Sequence, residues 1–334
     1  MDELAVIDVA ALVREVGNDR ATPAALAVAD AIDRACRTHG FFLVTGHGVD
    51  PTLLADLDAA ARRFFAQGEE VKAEIAMPVG RRAWRGWFPE GGELTAGQPD
   101  RKEGIYFGRD LDLDDPAVRA GTPLHGPNLR SSAVPELLPA VHRWMAAVEV
   151  VGHALVRGMA LGLGLAPTWF DDHLTGDPTV LFRVFRYPPG AGDAWGVGEH
   201  TDYGLVTVLA HDGTPGLEVQ APDGSWIDVA PVPGAFVVNL GDMLERMTAG
   251  AYRSTPHRVR PAVGGRDRLS FPFFFDPAWD AEVRPVPGLG PTTSVAPADR
   301  WDGASVHEWS GTYGDYLVAK VARVFPALAA ELGP

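Results

Sequence analysis

Three side chains in the second half of the chain have the types and spacing to hold one metal ion. In Gly198-Glu199-His200-Thr201-Asp202-Tyr203-Gly204 an imidazole and a carboxylate stand two apart. In extended backbone, residues i and i+2 project to the same face, so the two groups can converge on one ion. His257, in Ser254-Thr255-Pro256-His257-Arg258-Val259, is the candidate third ligand, on a strand expected to lie across a barrel from the strand carrying the pair. Two imidazoles and one carboxylate on one face leave three octahedral positions open, the arrangement suited to a non-haem Fe(II) that binds both a cosubstrate and O2. A single cysteine excludes Cys-rich zinc. A His-x-Asp pair arises often by chance, and a lone histidine is more often a hydrogen-bonded structural residue. The case strengthens further along the chain, where Arg268-Leu269-Ser270 again places two polar side chains on one face. A guanidinium beside a hydroxyl can fork onto a carboxylate, so a dicarboxylate could chelate the metal at one end and pair with Arg268 at the other.

The composition sets limits on these readings. The chain has 334 residues with 46% apolar content, enough to bury a sizeable core, and nothing in it resembles a long linker. Its 29 Lys and Arg against 44 Asp and Glu give a net charge of -15, the wrong sign for neutralising nucleic-acid phosphates. The first residues lack a basic segment followed by an apolar run, which argues against a signal or transit peptide, and no apolar run is read as approaching a membrane span. Cys36 lies in a helical pattern, where a buried thiol is expected. These features together predict a cytoplasmic protein.

The elements that position the candidate ligands follow from periodicity. Apolar residues at helical spacing predict helices over 24–38 and 51–65, with a buried strand at 41–44 between them. Residues 79–130 are rich in Gly, Pro and charge and read as loops with one strand at 104–108. The longest helical pattern runs from Leu137 to Leu163. From Val180 onward short β runs alternate with turns: 180–187, 205–212, 216–220, 225–229, 235–240 and 268–275, with Pro222-Asp223-Gly224 predicting a hairpin. Many short strands with such turns argue for an antiparallel sandwich or barrel closed by flanking helices. A last helix is predicted over 313–328.

Arranged in this order, the motifs resemble the isopenicillin N synthase-like Fe(II)/2-oxoglutarate-dependent dioxygenases, and the resemblance covers nearly the whole chain. It is carried by GFFLVTGHGV (40–49), RRFFAQGEEVK (62–72), PDRKEGIYFG (99–108), HTDYGLVTVL (200–209), PGLEV (215–219), VVNLGDMLERMTAG (237–250), YRSTPHRV (252–259) and RLSFPFFFDP (268–277). The resemblance implies an α+β protein with a distorted double-stranded β-helix, or jelly roll, and Fe(II) in its mouth. It implies 2-oxoglutarate bound by Arg268, Ser270 and Tyr187, with O2 as the other cosubstrate. It also implies four stretches within one compact unit: an N-terminal region at 1–130, a long helix region at 131–178, the jelly roll at 179–285 and a C-terminal lid and helix at 286–334. The implied reaction releases succinate and CO2 while a small natural-product or amino-acid-derived substrate is hydroxylated, desaturated, cyclised or rearranged. The expected partner is a small molecule, with neither nucleic acid nor membrane.

Departures and neighbours bear on particular residues. Many members have Asn-x-Tyr where this chain has Phe185-Arg186-Tyr187, which weakens the case for Tyr187 relative to Arg268. His211-Asp212 stands where Gln-Asp is frequent, but a fourth metal ligand there would fill a position the chemistry needs open. Asp242 is read as a helix cap, Asn239 as satisfying backbone groups, Arg258 as a salt-bridge residue, Glu199 as facing away and His47 as structural. Trp84, Trp87, Phe88, Trp195, Phe273 and Phe275 are read as core or lid, some of them lining the substrate pocket. Two rival functions stay open: a same-fold oxidase in which the Arg-x-Ser pair holds a substrate carboxylate, as in isopenicillin N synthase or aminocyclopropane-carboxylate oxidase, and a non-enzymatic jelly-roll binding protein.

Overall fold

The computed structural model describes residues 3–95, 97–190, 195–262, 265–289, 307 and 309–326. Strand β1 (Val6–Asp8) and helices α1 (Ala10–Val13) and α2 (Pro23–Thr38) lead into β2 (Phe41–Thr45), α3 (Pro51–Phe65) and α4 (Glu69–Ala73). The two long early helices start where local chemistry dictates. Thr22 and Asp50 accept from backbone N–H groups of the first turn, and Pro23 and Pro51 occupy the first helical position. Strands β3 (Gly86–Phe88), β4 (Leu94–Thr95), β5 (Gln98–Pro99) and β6 (Glu103–Gly108) follow, then α5 (Pro116–Arg119) and α6 (Leu137–Gly162).

The strand-rich half contains β7 (Thr179–Tyr187), β8 (Val197–His200), β9 (Val206–His211), β10 (Leu217–Gln220), β11 (Trp226–Asp228), β12 (Phe236–Leu240), β13 (His257–Val259) and β14 (Arg268–Asp276). Between them lies the short helix α7 (Asp242–Met247), and α8 (Tyr313–Val324) follows, closed at its start by a reciprocal Thr312–Asp315 capping box. The strands form an eight-stranded sheet in the order β1-β2-β12-β9-β14-β7-β6-β3 and a four-stranded sheet in the order β11-β10-β13-β8. Every named pairing is antiparallel except β1 with β2. This two-sheet, mainly antiparallel arrangement with flanking helices is the jelly roll expected from the strand pattern. The turn at Pro222-Asp223-Gly224 joins β10 to β11, whose register pairs Gln220 with Trp226.

The segment 79–130 holds more order than its composition suggests. Besides the expected β6, β3 pairs with it and extends the large sheet, and all three β3 residues are buried. A three-residue strand is too short to show alternation, so periodicity could not reveal it. The last helix ends at Val324, and residues 327 and 328 of the predicted helix lie outside the described residues.

Helix α6 needs a correction. Its length and mean hydropathy of 1.3 over 18 residues suffice to cross a membrane by those measures alone, although charges interrupt every apolar run. In the fold 61% of that stretch is buried, and the helix packs on α1, α2, α3, β9 and β14.

Candidate active site

The two candidate imidazoles face each other across neighbouring strands. His257 pairs directly with His200 in the β13–β8 register, and their ring centroids are 4.2 Å apart. The expectation that His257 lies across a barrel from the pair is therefore wrong: the strands are adjacent in the small sheet. Directly opposed residues in an antiparallel pair have close Cβ atoms, and this is what juxtaposes the rings.

Asp202 is not held by strand alternation either, because β8 ends at His200. Its loop is pinned from outside. The Asp242 amide donates to the Asp202 carbonyl at 2.8 Å, the Met243 amide to the Tyr203 carbonyl at 3.2 Å, and the Leu205 amide to Asp276 Oδ1 at 3.0 Å. Gly204 makes this contact possible, since a Cβ there would fall 1.4 Å from Asp276 Oδ1.

Within that frame Asp202 Oδ1 lies 3.9 Å from Nε2 of both His200 and His257, and one ligand atom from each residue falls within 4.8 Å of the others. The opposite ring nitrogens are engaged: His200 Nδ1 donates to the Gly198 carbonyl at 2.8 Å and His257 Nδ1 to the Thr255 carbonyl at 3.1 Å. A proton on Nδ1 leaves the Nε2 lone pair free for a metal. Burial, and then the neighbouring His200, push His257 down to about 4, and burial also lowers His200, so both rings stay neutral ligands. For Asp202 burial alone would raise the pKa. His257, His200 and the hydrogen bonds from Asn239 and Thr207 outweigh it and hold the carboxyl below its usual value.

Those two hydrogen bonds were not legible in the sequence. Asn239 Nδ2 donates to Asp202 Oδ2 at 2.6 Å and Thr207 Oγ1 to the same oxygen at 2.5 Å. Oδ2 is thereby fixed, and Oδ1 is turned toward the two imidazoles. Asn239 thus supports a candidate ligand, contrary to the reading that it only satisfies backbone. Both residues lie on neighbouring central strands, with Asn239 opposite Thr207 in the β12–β9 register, so the relevant signal was pairing rather than sequence spacing.

A cavity of about 560 Å³ opens over the three ligand atoms. Arg268 and Ser270 face it from β14, and Tyr187 faces it from β7, directly opposite Arg268 in the register. The Arg268 guanidinium lies 5.0 Å from the Tyr187 ring centroid, and its Nε donates to the Thr214 carbonyl at 3.2 Å. Its Nη1 is buried without a hydrogen-bond partner among the described residues. A buried, unspent guanidinium donor is costly and fits an anion that enters the cavity. The residues present therefore suit both groups: two neutral imidazoles and a carboxylate for a divalent metal, and an open guanidinium for a carboxylate.

The remaining expectations sort clearly. His211 stays apart from the cluster, with Nδ1 accepting from the Gly213 amide. Glu199 does not line the cavity, and Arg258 pairs with Glu218 at 2.7 Å. His47 bonds the Gly234 carbonyl at 2.9 Å and stacks on Phe236. Trp84, Trp87, Phe88, Phe273 and Phe275 are buried away from the cavity, whose aromatic lining includes Tyr106, Phe185 and Phe274 instead. Asp242 is not the cap. Gly241 holds that position, and the buried Asp242 carboxylate accepts from Tyr316 Oη at 2.9 Å, tying α8 to the strand region.

Comparison with known proteins agrees with this geometry. A family model for the 2OG-Fe(II) oxygenase superfamily matches residues 178–277, and one for the N-terminal region of non-haem dioxygenases in morphine synthesis matches residues 4–133. A probable iron/ascorbate oxidoreductase of Dictyostelium discoideum is 38% identical, over 98% of this chain and 96% of that one. The 2-oxoglutarate-dependent dioxygenase citB of Monascus ruber is 35% identical, over 86% of this chain and 88% of that one. The chain belongs to the 2OG-Fe(II) oxygenase superfamily. As a 2OG-Fe(II) oxygenase it is an oxidoreductase of the dioxygenase type that uses Fe(II), 2-oxoglutarate and O2. The solved structure of a full-length Neurospora crassa protein in complex with alpha-KG has the same fold, with a TM-score of 0.77 at 24% identity over 96% of each chain. A 1-aminocyclopropane-1-carboxylate oxidase of Dictyostelium discoideum is also similar, 33% identical over 90% of each chain.

Proposed function

We propose that His200 and His257 through Nε2 and Asp202 through Oδ1 hold the Fe(II), and that Arg268 and Ser270, with Tyr187 beside them, bind the far carboxylate of 2-oxoglutarate. The observation that carries this reading is the buried Nη1 of Arg268, without a partner among the described residues, in the same cavity as the three ligand atoms. When bound, the iron and its cosubstrate supply the oxidising chemistry, with 2-oxoglutarate converted to succinate and CO2 as the substrate is oxidised. The chain's own residues do the rest. Asn239 and Thr207 orient the carboxylate ligand, and the Gly198 and Thr255 carbonyls fix the imidazole tautomers. Apolar side chains such as Leu209, Leu217 and Val259 keep water from the metal face of the cavity. The substrate is a small molecule, of natural-product or amino-acid origin. A net charge of -15 disfavours nucleic acid as the partner.

The test is succinate formation by anaerobically prepared Fe(II) protein given 2-oxoglutarate and O2, together with a titration of 2-oxoglutarate binding. Absence of both succinate and binding, with a substrate that is turned over, would remove 2-oxoglutarate from the mechanism. The likeness to 1-aminocyclopropane-1-carboxylate oxidase favours one second reading, in which Arg268 and Ser270 hold a substrate carboxylate instead. In that case substrate and 2-oxoglutarate would compete for Arg268, and Arg268→Ala would weaken substrate binding directly.

A further inference from the structure

Strand β7 presents to the cavity a cation that neither the iron nor the cosubstrate uses. Leu181, Arg183, Phe185 and Tyr187 alternate toward the cavity, while Phe182, Val184 and Arg186 point away. Arg183 is 7% exposed, and among the described residues no carboxylate lies within ion-pair distance of it. Its Nη1 donates to the Phe182 carbonyl, at 3.3 Å. Its guanidinium carbon sits 3.4 Å from the centroid of Tyr106, whose hydroxyl already donates to Glu93.

The other cations on the wall differ. Lys102 lies 2.6 Å from Asp100 and 2.9 Å from Glu93, Lys320 lies 3.5 Å from Asp242, and Arg323, at the cavity rim on α8, is exposed to solvent rather than buried. The buried acid Asp276 also lines the cavity and feels the Arg183 charge, which favours its ionised form, but the two make no ion pair: the Leu205 amide occupies one oxygen and the Tyr313 hydroxyl the other. Burial further pushes its pKa up to about 7, which dilutes its charge. A guanidinium has five N–H donors, and burying one without a counter-ion is costly. One that opens into a cavity is completed by an anion entering that cavity.

The surroundings describe the rest of that anion. The Arg183 guanidinium carbon lies 5.4 Å from the Phe274 ring centroid, and Phe185, Leu317 and Phe325, all buried, line the same cavity from β7 and the α8 end. Arg183 and Tyr187 are four steps apart along the strand, roughly 13 Å of backbone at the usual rise, so an anion on Arg183 does not compete with a cosubstrate carboxylate on Arg268.

We propose that Arg183 is the substrate anchor and that the substrate is a carboxylic acid with an apolar body. This rests on the cavity being the oxygenase site, and it names the substrate class of that site. The test is anaerobic calorimetric titration, with Fe(II) and saturating 2-oxoglutarate present, of 3-phenylpropionate, 4-phenylbutyrate and decanoate against their uncharged amides. At least one acid is expected to bind about 30-fold or more tightly than its amide. In Arg183→Gln that preference collapses to within about threefold, and Arg183→Lys restores part of it. The cationic analogue 3-phenylpropylamine, which needs no variant, is expected to bind more weakly than the amide. If no acid is preferred over its amide, if the preference persists in Arg183→Gln, or if the amine binds more tightly than the amide, the assignment is overturned. Heat from 2-oxoglutarate in the same cell reports the cosubstrate reading separately. Its absence would sink that reading and leave the acid and amide comparison to decide Arg183.

Discussion

Replacing Asn239 with Ala removes one of the two donors that fix Asp202 Oδ2, a 2.6 Å bond to a buried carboxylate. A hydrogen bond to a charged group contributes about 1.5–3 kcal/mol. Thr207 remains on the same oxygen at 2.5 Å, so the carboxylate keeps part of its orientation and the lower end of that range applies. At about 1.4 kcal/mol per tenfold, the expected loss in Fe(II) affinity is about 10- to 30-fold, within the range typical of groups that orient a metal ligand. The assay is an anaerobic competition titration of Fe(II) against a chromophoric chelator at fixed pH, with Thr207→Val measured alongside. Because the two donors share one acceptor, the double variant should lose more than the sum of the single losses. If both single variants bind Fe(II) within twofold of the unaltered protein, Oδ2 is not what positions the ligand, and the account of the site built on it fails.

Arg268→Ala should weaken 2-oxoglutarate binding by about 100-fold or more while changing Fe(II) affinity far less; equal losses in both would show that the side chain supports the fold rather than the cosubstrate. Asp276 should make stability depend on pH. Its pKa is raised from 3.8 to about 7, so its contribution is full below the unfolded value and is lost as pH rises through about 7. The change is up to about 4 kcal/mol at roughly 1.4 kcal/mol per unit, and Asp276→Asn should flatten it in urea unfolding at pH 4.5 and 7.5; an unchanged slope would assign the dependence to another group. Gly204→Ala drives a Cβ to 1.4 Å from Asp276 Oδ1, and unfolding should show a loss of about 3 kcal/mol or more, whereas a loss under 1 kcal/mol would mean that the loop shifts freely.

The sequence carried what depends on local pattern. Helical spacing located α2, α3 and α6 because each buries one continuous stripe, and the strand runs located β7, β9, β12 and β14 because each is bounded by turn residues. The types and order of His200, Asp202, His257, Arg268 and Ser270 pointed to the chemistry. Pairing was beyond reach. Nothing in the sequence states that β13 lies next to β8, so His257 was expected on the wrong strand neighbour, although the residue itself was named. Asn239 and Thr207 were missed for the same reason, since their meaning lies in reaching Asp202 from the other sheet. Nothing in the 180–187 strand run sets Arg183 apart from Arg186. What distinguishes it is burial without an ion pair among the described residues, whereas Arg186 pairs with Asp267 at 2.7 Å. Asp242 shows the converse error, a helix-start acid whose partner is a tyrosine on α8.

The attachment of α8 has a consequence for how the protein is made. Tyr187, His200, Asp202, His257, Arg268 and Ser270 all precede α8 in the chain, yet α8 supplies Tyr313, Leu317 and Val321 to the cavity wall and bonds to Asp276 and Asp242 through Tyr313 and Tyr316. Synthesis runs from the N-terminus and domains gain structure as they emerge, so the side chains proposed to hold the metal leave the ribosome before the α8 part of the cavity wall. A nascent chain halted before residue 313 would hold the parts for loading iron but not an enclosed chamber. The cavity wall is therefore complete only once α8 has docked through Tyr313 and Tyr316.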